Sequence, residues 1–249
     1  MNSFKLLLDP YERKARLYPA LLTLLPLFCT SLALYPVELQ AAGSGASIAV
    51  YCVVGFFLAS LARARGKEIE EGLYRTWGGK PTTQLLRHRY KQLSSTTRTR
   101  YHSWLQSLIP GIQIPTEEAE VENSERADDI YASCADWLRE RTRDREKFPL
   151  VFKELTNYGY CRNLLGLKPI GLTLALLGIS FGVLRFAGWV QVGSLPLTGM
   201  SCAVSLVMLL VWLMLVRPEW VRVPAFAYAE ALLASLQTIL EAKPQDSKT

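Results

Sequence analysis

Hydrophobic and polar positions are segregated along this chain rather than interleaved. Four apolar blocks stand near its two ends: Leu17–Tyr35, Ser47–Leu61, Pro169–Leu184 (continuing past Arg185 to Val192) and Leu197–Val216. Between the second and third lies a long charged stretch. A soluble globular chain distributes its apolar residues at helical or strand period instead. A bilayer core of about 30 Å needs roughly 20 apolar residues in helical form. The first and fourth blocks meet that length. The second is short unless its flank Ala41–Ala46 joins it, and Arg185 interrupts the third near its end, where a long cation can reach the headgroup region.

The pattern between the blocks changes to helical periodicity. A helix over Lys67–Trp77 is expected to continue from the second block and to end at Gly78-Gly79, since glycine accepts the left-handed conformation of a helix C-terminus. Pro81 suits the first turn of a next helix carrying Leu85, Leu86 and Tyr90. Another helix is expected from about Ser95, and Pro110-Gly111 breaks the chain. The acidic stretch Thr116–Glu125 is expected to be partly exposed. Ala127, Ile130, Tyr131, Cys134, Trp137 and Leu138 then recur at spacings of three and four over Ser124–Arg143 and make one apolar face. A last helix begins near Pro149 and leads toward the third block. After Pro224, Phe226, Ala229, Leu233, Leu236 and Leu240 form a further amphipathic seam that can dock on the central helices.

The expected architecture is therefore all-α: a four-transmembrane-helix protein of two hairpins with a mainly helical cytoplasmic domain between them. Its divisions are an N-terminal tail 1–16, a first hairpin 17–63, the helical domain 64–168, a second hairpin 169–216, and an amphipathic helix with a disordered tail, 217–249. Orientation follows from Lys and Arg placement. Lys5, Arg13, Lys14 and Arg16 precede the first block, Arg63, Arg65 and Lys67 follow the second, Arg162 and Lys168 precede the third, and Arg217 and Arg222 follow the fourth. The two connections within the hairpins, Pro36–Ala46 and Gly193–Pro196, carry no basic residue. Both termini and the central domain are thus expected in the cytoplasm. The first block reads as a retained span, because a second apolar block follows closely and Asp9 and Glu12 lie in its flank.

The chain of 249 residues has a net charge of +6 and five cysteines, none in a CxxC spacing. With two histidines only, no structural metal or other cofactor is expected. No Ser, Cys or His constellation of hydrolytic type and no dinucleotide fingerprint occurs, so a non-enzymatic protein is expected.

Three segments carry candidate chemistry. The first is the turn Tyr74–Thr83, where Arg75, Lys80, Thr82 and Thr83 surround Gly78-Gly79 and a helix N-terminus, a natural place for an anion. The lysine spacing is not that of a P-loop, and a tight helix–helix turn with a capping threonine explains the same residues. The second is Glu154–Asn163. Glu154, Tyr158 and Arg162 are spaced by four and share a helical face, with Asn157 and Asn163 beside them. A polar stripe directly before an apolar block fits either a buried network joining the domain to the bundle or a ligand-coupling element. The third is the basic run Arg87, Arg89, Lys91, Arg98 and Arg100, interleaved with His88, Tyr90, Tyr101, His102 and Trp104. It suits an anionic membrane surface or a solvated face better than single-stranded nucleic acid. Pro19 and Pro26 are expected to bend the first span, and Gly178-Ile179-Ser180-Phe181-Gly182 permits close helix approach, in this chain or in a homo-oligomer.

The segments Trp77–Thr83 and Asn157–Asn163 resemble an uncharacterised family of bacterial multi-span inner-membrane proteins, which supplies no catalytic assignment. In layout the chain is also similar to membrane effectors of anti-phage systems. These likenesses imply a bacterial inner-membrane protein; with the polar stripe running into the third block and the glycine turn near the second, the expectation is a homo-oligomer whose cytoplasmic domain senses a ligand or a protein partner and alters the membrane bundle. A membrane anchor for a soluble partner is the alternative.

Overall fold

Long runs of helix-forming apolar residues punctuated by Gly and Pro become long helices here. The computed structural model describes residues 9–34 and 37–242, without the side chains of 37–48. Lys5, Pro36, the side chains of Ala41–Ala46 and the terminal Lys243–Thr249 segment lie outside the described residues. In chain order the helices are α1 (Pro10–Leu34, with a π-helical turn at Arg13–Leu17), α2 (Val37–Trp77), α3 (Pro81–Leu86), α4 (Ser95–Leu108), α5 (Glu117–Glu122), α6 (Ser124–Arg141), α7 (Pro149–Phe186), α8 (Leu195–Leu215, π-helical at Val211–Leu215) and α9 (Pro218–Glu241). No strand occurs among the described residues. Five helical stretches are long and apolar enough to cross a membrane: Pro10–Leu34, Ala49–Leu86, Pro149–Phe186, Leu195–Leu215 and Pro218–Glu241.

The chain forms two compact units, Met1–Glu71 with Thr156–Val221, and Gly72–Leu155 with Arg222–Thr249. The units divide α2 after Glu71 and α7 before Thr156. Residues up to Glu71 and from Thr156 pack with the apolar helices because polar partners hold them there.

The first unit is a bundle cored by Leu24, Leu58, Ala59, Leu164, Leu167, Met208, Trp212 and Val216. Small residues bring its helices close. A Cβ at Gly166 would stand 2.7 Å from the Gly66 backbone nitrogen. One at Gly178 would collide with Ser205 Oγ, and one at Gly182 would stand 3.0 Å from Cys202 Sγ. The Gly178–Gly182 pair thus packs within this chain. Thr30 Oγ1 and Ser201 Oγ share a hydrogen bond of 2.9 Å, and Thr30 also donates to the Pro26 carbonyl at 2.8 Å. Large apolar side chains point outward along the same helices, among them Phe28, Val53, Phe57, Leu177, Val183, Val207 and Met214. Having small residues at the points where helices approach most closely, with large apolar side chains also turned outward, is the arrangement expected in lipid, where burial of apolar surface gives no net drive to helix packing.

The structure extends the second apolar block and places Arg185 at the end of the third. α2 begins at Val37, so the flank Ala41–Ala46 is helical and lengthens the second apolar block. α7 ends at Phe186, so Arg185 stands in its last turn and donates to the carbonyls of Val190 and Gly193 at 3.2 and 3.3 Å. It therefore closes the connection to α8. Gly193 has a φ of +87°, and a Cβ there would run into the Ala33 carbonyl.

The second unit is cored by Leu86, Leu105, Tyr131, Cys134, Leu138, Phe148, Leu232, Leu233 and Leu236. α9 thus supplies the docking seam expected after Pro224, although it begins earlier, at Pro218, and runs through that proline. α3 stops at Leu86, short of Tyr90, because Arg87 turns to an extended conformation (ψ 138°). Tyr90 instead stacks on Phe226 with ring centroids 6.1 Å apart.

Candidate functional site

The polar stripe before the third apolar block finds its partners in the bundle unit. Tyr158 and Arg162 lie one turn apart on α7 and both reach Glu70 of α2. The Tyr158 hydroxyl donates to Glu70 Oε1 at 2.7 Å, and Arg162 Nη1 donates to the same oxygen at 2.6 Å. The guanidinium also lies 5.4 Å from the Tyr158 ring centroid. Its other nitrogens face Asn163 Oδ1, Nη2 at 3.2 Å and Nε at 3.4 Å. Arg162 is 8% exposed and Asn163 1%.

Asn163 completes the network toward α1. Its Nδ2 donates to the Ala15 carbonyl at 2.7 Å. Proline has no N–H, so Pro19 cannot donate to Ala15, the residue one helical turn before it. The asparagine amide supplies a donor there, beside the π-helical turn Arg13–Leu17. Glycines make room: a Cβ at Gly66 would overlap Asn163 Oδ1, and one at Gly159 would meet the Tyr11 hydroxyl at 3.1 Å and Ala15 Cβ at 3.2 Å. Arg16, itself buried, pairs with Glu12 one turn earlier. Three helices are therefore joined through one carboxylate, one guanidinium, one amide and one phenol. Farther along, Lys168 Nζ donates to the Val216 carbonyl at 2.7 Å and closes the end of α8.

Of the residues read from the sequence, Tyr158, Arg162 and Asn163 meet in this network. Glu154 belongs to the other unit, where its carboxylate stands 3.9 Å from Lys153, and Asn157 is exposed. Sequence reasoning missed Glu70. It lies in Lys67-Glu68-Ile69-Glu70-Glu71, where its neighbours Glu68 and Glu71 are exposed and nothing in composition separates the three. Its helical phase does: Gly66 and Glu70 are one turn apart on α2, and both face α7.

The glycine turn is organised differently. Gly78 and Gly79 take φ values of +86° and +127°. Arg87 folds over them, donating from Nη1 to the Gly78 carbonyl at 2.7 Å while Nε and Nη2 hold Asp128 at 2.7 and 2.5 Å. Arg75 and Lys80 are exposed, Thr82 is half-buried and Thr83 is buried. The turn is thus built around an Arg87–Asp128 pair that the sequence did not single out. Of the basic run, Arg87 and Arg98 are half-buried, Arg98 donating to the carbonyls of Tyr90 and Arg87, whereas Arg89, Lys91 and Arg100 are exposed, with Arg100 5.1 Å from the Trp104 ring centroid.

The acidic stretch Thr116–Glu125 is exposed along most of its length, as a partly exposed segment should be, but one of its carboxylates is buried. Glu120, on the short α5, is 2% exposed. It accepts the His88 backbone N–H at 2.8 Å and the Tyr131 hydroxyl at 2.9 Å. Burial, then Glu120, push the Tyr131 phenol above its ordinary range. Burial holds His102 below its ordinary value, while its Nε2–H donates to the Leu86 carbonyl at 2.8 Å. Burial also pushes the Cys134 thiol up to about 11, which leaves it a protonated core group. No group of three or more His, Cys, Asp or Glu capable of holding a metal occurs among the described residues. Comparison with protein-family models, with curated proteins and with solved structures gave no match for this chain.

Proposed function

We propose that this chain is a non-enzymatic multi-pass protein of a bacterial inner membrane, in which a helical cytoplasmic domain senses a ligand or partner and acts on a four-span bundle. The four spans are α1 from Leu17, the part of α2 from its start to Leu61, the part of α7 from Pro169, and α8, arranged as two hairpins with both termini cytoplasmic. Lys and Arg placement supports the orientation. α9 is assigned to the domain because Leu232, Leu233 and Leu236 are fully buried against Leu105 and Tyr131. The observation that carries the reading is the Glu70 carboxylate, shared by Tyr158 and Arg162. It ties α2 to α7, two of the three helices that continue unbroken beyond the bundle unit. A change that rotates either helix must break a charge-assisted bond, which makes the network a suitable two-state element.

Expression of the wild-type chain is expected to depolarise bacterial cells, as an effector of anti-phage type would. Arg162→Ala is expected to abolish this while the protein remains in the membrane. An unchanged membrane potential in cells with confirmed insertion of the wild type would remove the effector reading. The alternative, an anchor for a soluble partner without a pore, is favoured by three large exposed apolar side chains on the domain, Val121 at 81%, Val223 at 72% and Leu150 at 55%. Recovery of a stable heteromeric complex from membranes, without ion conductance, would support that alternative.

A further inference from the structure

The helical domain contains a cleft of about 360 Å³ between the ends of α4, α6 and α9 and the connection leading into α7. Its floor is apolar: Leu108, Trp137, Phe148 and Ile239. Two cations, Arg141 and Lys147, stand in its wall. Neither has a carboxylate partner among the described residues, although Arg139 nearby pairs with Asp136. Both cations are presented by ordered structure. The Arg141 guanidinium carbon lies 3.8 Å from the Trp137 ring centroid, so the indole holds it in place. Asp144 turns the connection: its Oδ1 accepts the N–H groups of Glu146 and Lys147 at 3.0 and 3.2 Å, and its backbone carbonyl accepts that of Phe148 at 3.0 Å. That turn places Lys147 on the wall and buries Phe148 at its floor, 5% exposed.

A concave apolar surface of this size with a few convergent polar groups has the form of a small-molecule site. Here the polar groups are both cationic and one is stacked on an aromatic ring. We infer that this cleft binds a small amphipathic carboxylate, its apolar body over Trp137 and Phe148 and its acid group between Arg141 and Lys147. A neutral molecule would leave the two cations without a counter-charge. The site is separate from the Glu70 network and does not depend on the functional reading above.

The test is calorimetric titration of the full chain in nanodiscs of zwitterionic lipid, with empty nanodiscs as the blank. The probes are 1-naphthoate and the uncharged 1-naphthalenemethanol. Naphthoate is expected to bind saturably and at least about tenfold tighter than the alcohol, the scale of a charge-assisted hydrogen bond. The double variant Arg141→Gln/Lys147→Gln, altered only at exposed side chains, is expected to bind the two probes equally. Ala242→Trp, which fills the cleft mouth, is expected to abolish naphthoate binding with the circular dichroism spectrum unchanged. Absence of saturable binding to the wild type, equal affinity of the wild type and the double variant for naphthoate, or undiminished binding to Ala242→Trp would each overturn the assignment.

Discussion

The Glu70–Arg162 contact permits a double-mutant cycle with a definite sign. Arg162→Met removes the guanidinium and leaves Glu70 with Tyr158 as its one remaining partner within the network. Glu70→Gln leaves a guanidinium whose side chain is 9% exposed without its carboxylate, beside the neutral Tyr158 and Asn163 and within the field of the Arg16 cation. Breaking a buried ion pair from one side costs about 3–5 kcal/mol, because the orphaned charge stays desolvated. The Glu70 side chain keeps 23% of its exposure, which places each single substitution at the low end, about 3 kcal/mol. The double variant Glu70→Gln/Arg162→Met buries no unpaired charge and should cost no more than either single change, a coupling of about 3 kcal/mol. Reversible unfolding in mixed micelles, followed by tryptophan fluorescence, measures all three. The coupling should persist between 0.1 M and 1 M salt, since buried pairs are screened much less than exposed ones. Additivity of the two single effects within about 0.5 kcal/mol, or a coupling that vanishes in salt, would show that the network is an exposed pair without structural weight.

Two further outcomes separate packing from propensity and charge. Gly166→Ala places a Cβ 2.7 Å from the Gly66 nitrogen and 2.9 Å from the Arg65 carbonyl carbon, backbone atoms that cannot swing away. It should destabilise the bundle by about 1–3 kcal/mol, whereas Gly72→Ala, with nothing within 4 Å, should stabilise α2 by about 0.5–1 kcal/mol in the same unfolding assay. For pH, burial holds the folded-state pKa of His102 below its unfolded value of 6.5. The unfolded chain then binds more protons, so the contribution of neutral His102 is fully present above about pH 6.5 and is lost as pH falls through the folded value. The groups facing it are the His88 ring, Arg98 and Glu120. The thermal midpoint of the helical domain should therefore fall on acidification from pH 7 to about 5, and His102→Phe should flatten that dependence; an identical slope in the variant would assign the effect elsewhere.

Much of the secondary structure was legible because it depends on local signals. Gly78-Gly79 ends α2 through positive φ, Pro81 opens α3, and the three-and-four spacing from Ala127 to Leu138 appears as the buried face of α6. The site was half legible. Tyr158, Arg162 and Asn163 stood out as a polar stripe where apolar sequence begins. Their partners were hidden: Glu70 sits in a run of similar charges, and the Ala15 carbonyl is a backbone atom made available by a proline. Glu154 shares their spacing but belongs to the other unit. The acidic stretch around Glu120 read as partly exposed, but composition does not report which one of its several glutamates turns inward.

What the sequence determined by itself is the class of the protein: all-helical, with apolar stretches of membrane-spanning length and a charged helical region between them. Those properties depend on the length and periodicity of apolar runs, which are local. Only the tertiary structure decided how far the bundle unit extends along α2 and α7, that Arg185 closes a connection, and that one carboxylate is shared by a tyrosine and an arginine. Each of these depends on which helix faces meet, and helix phase across long separations is set by packing of small residues such as Gly66 and Gly166.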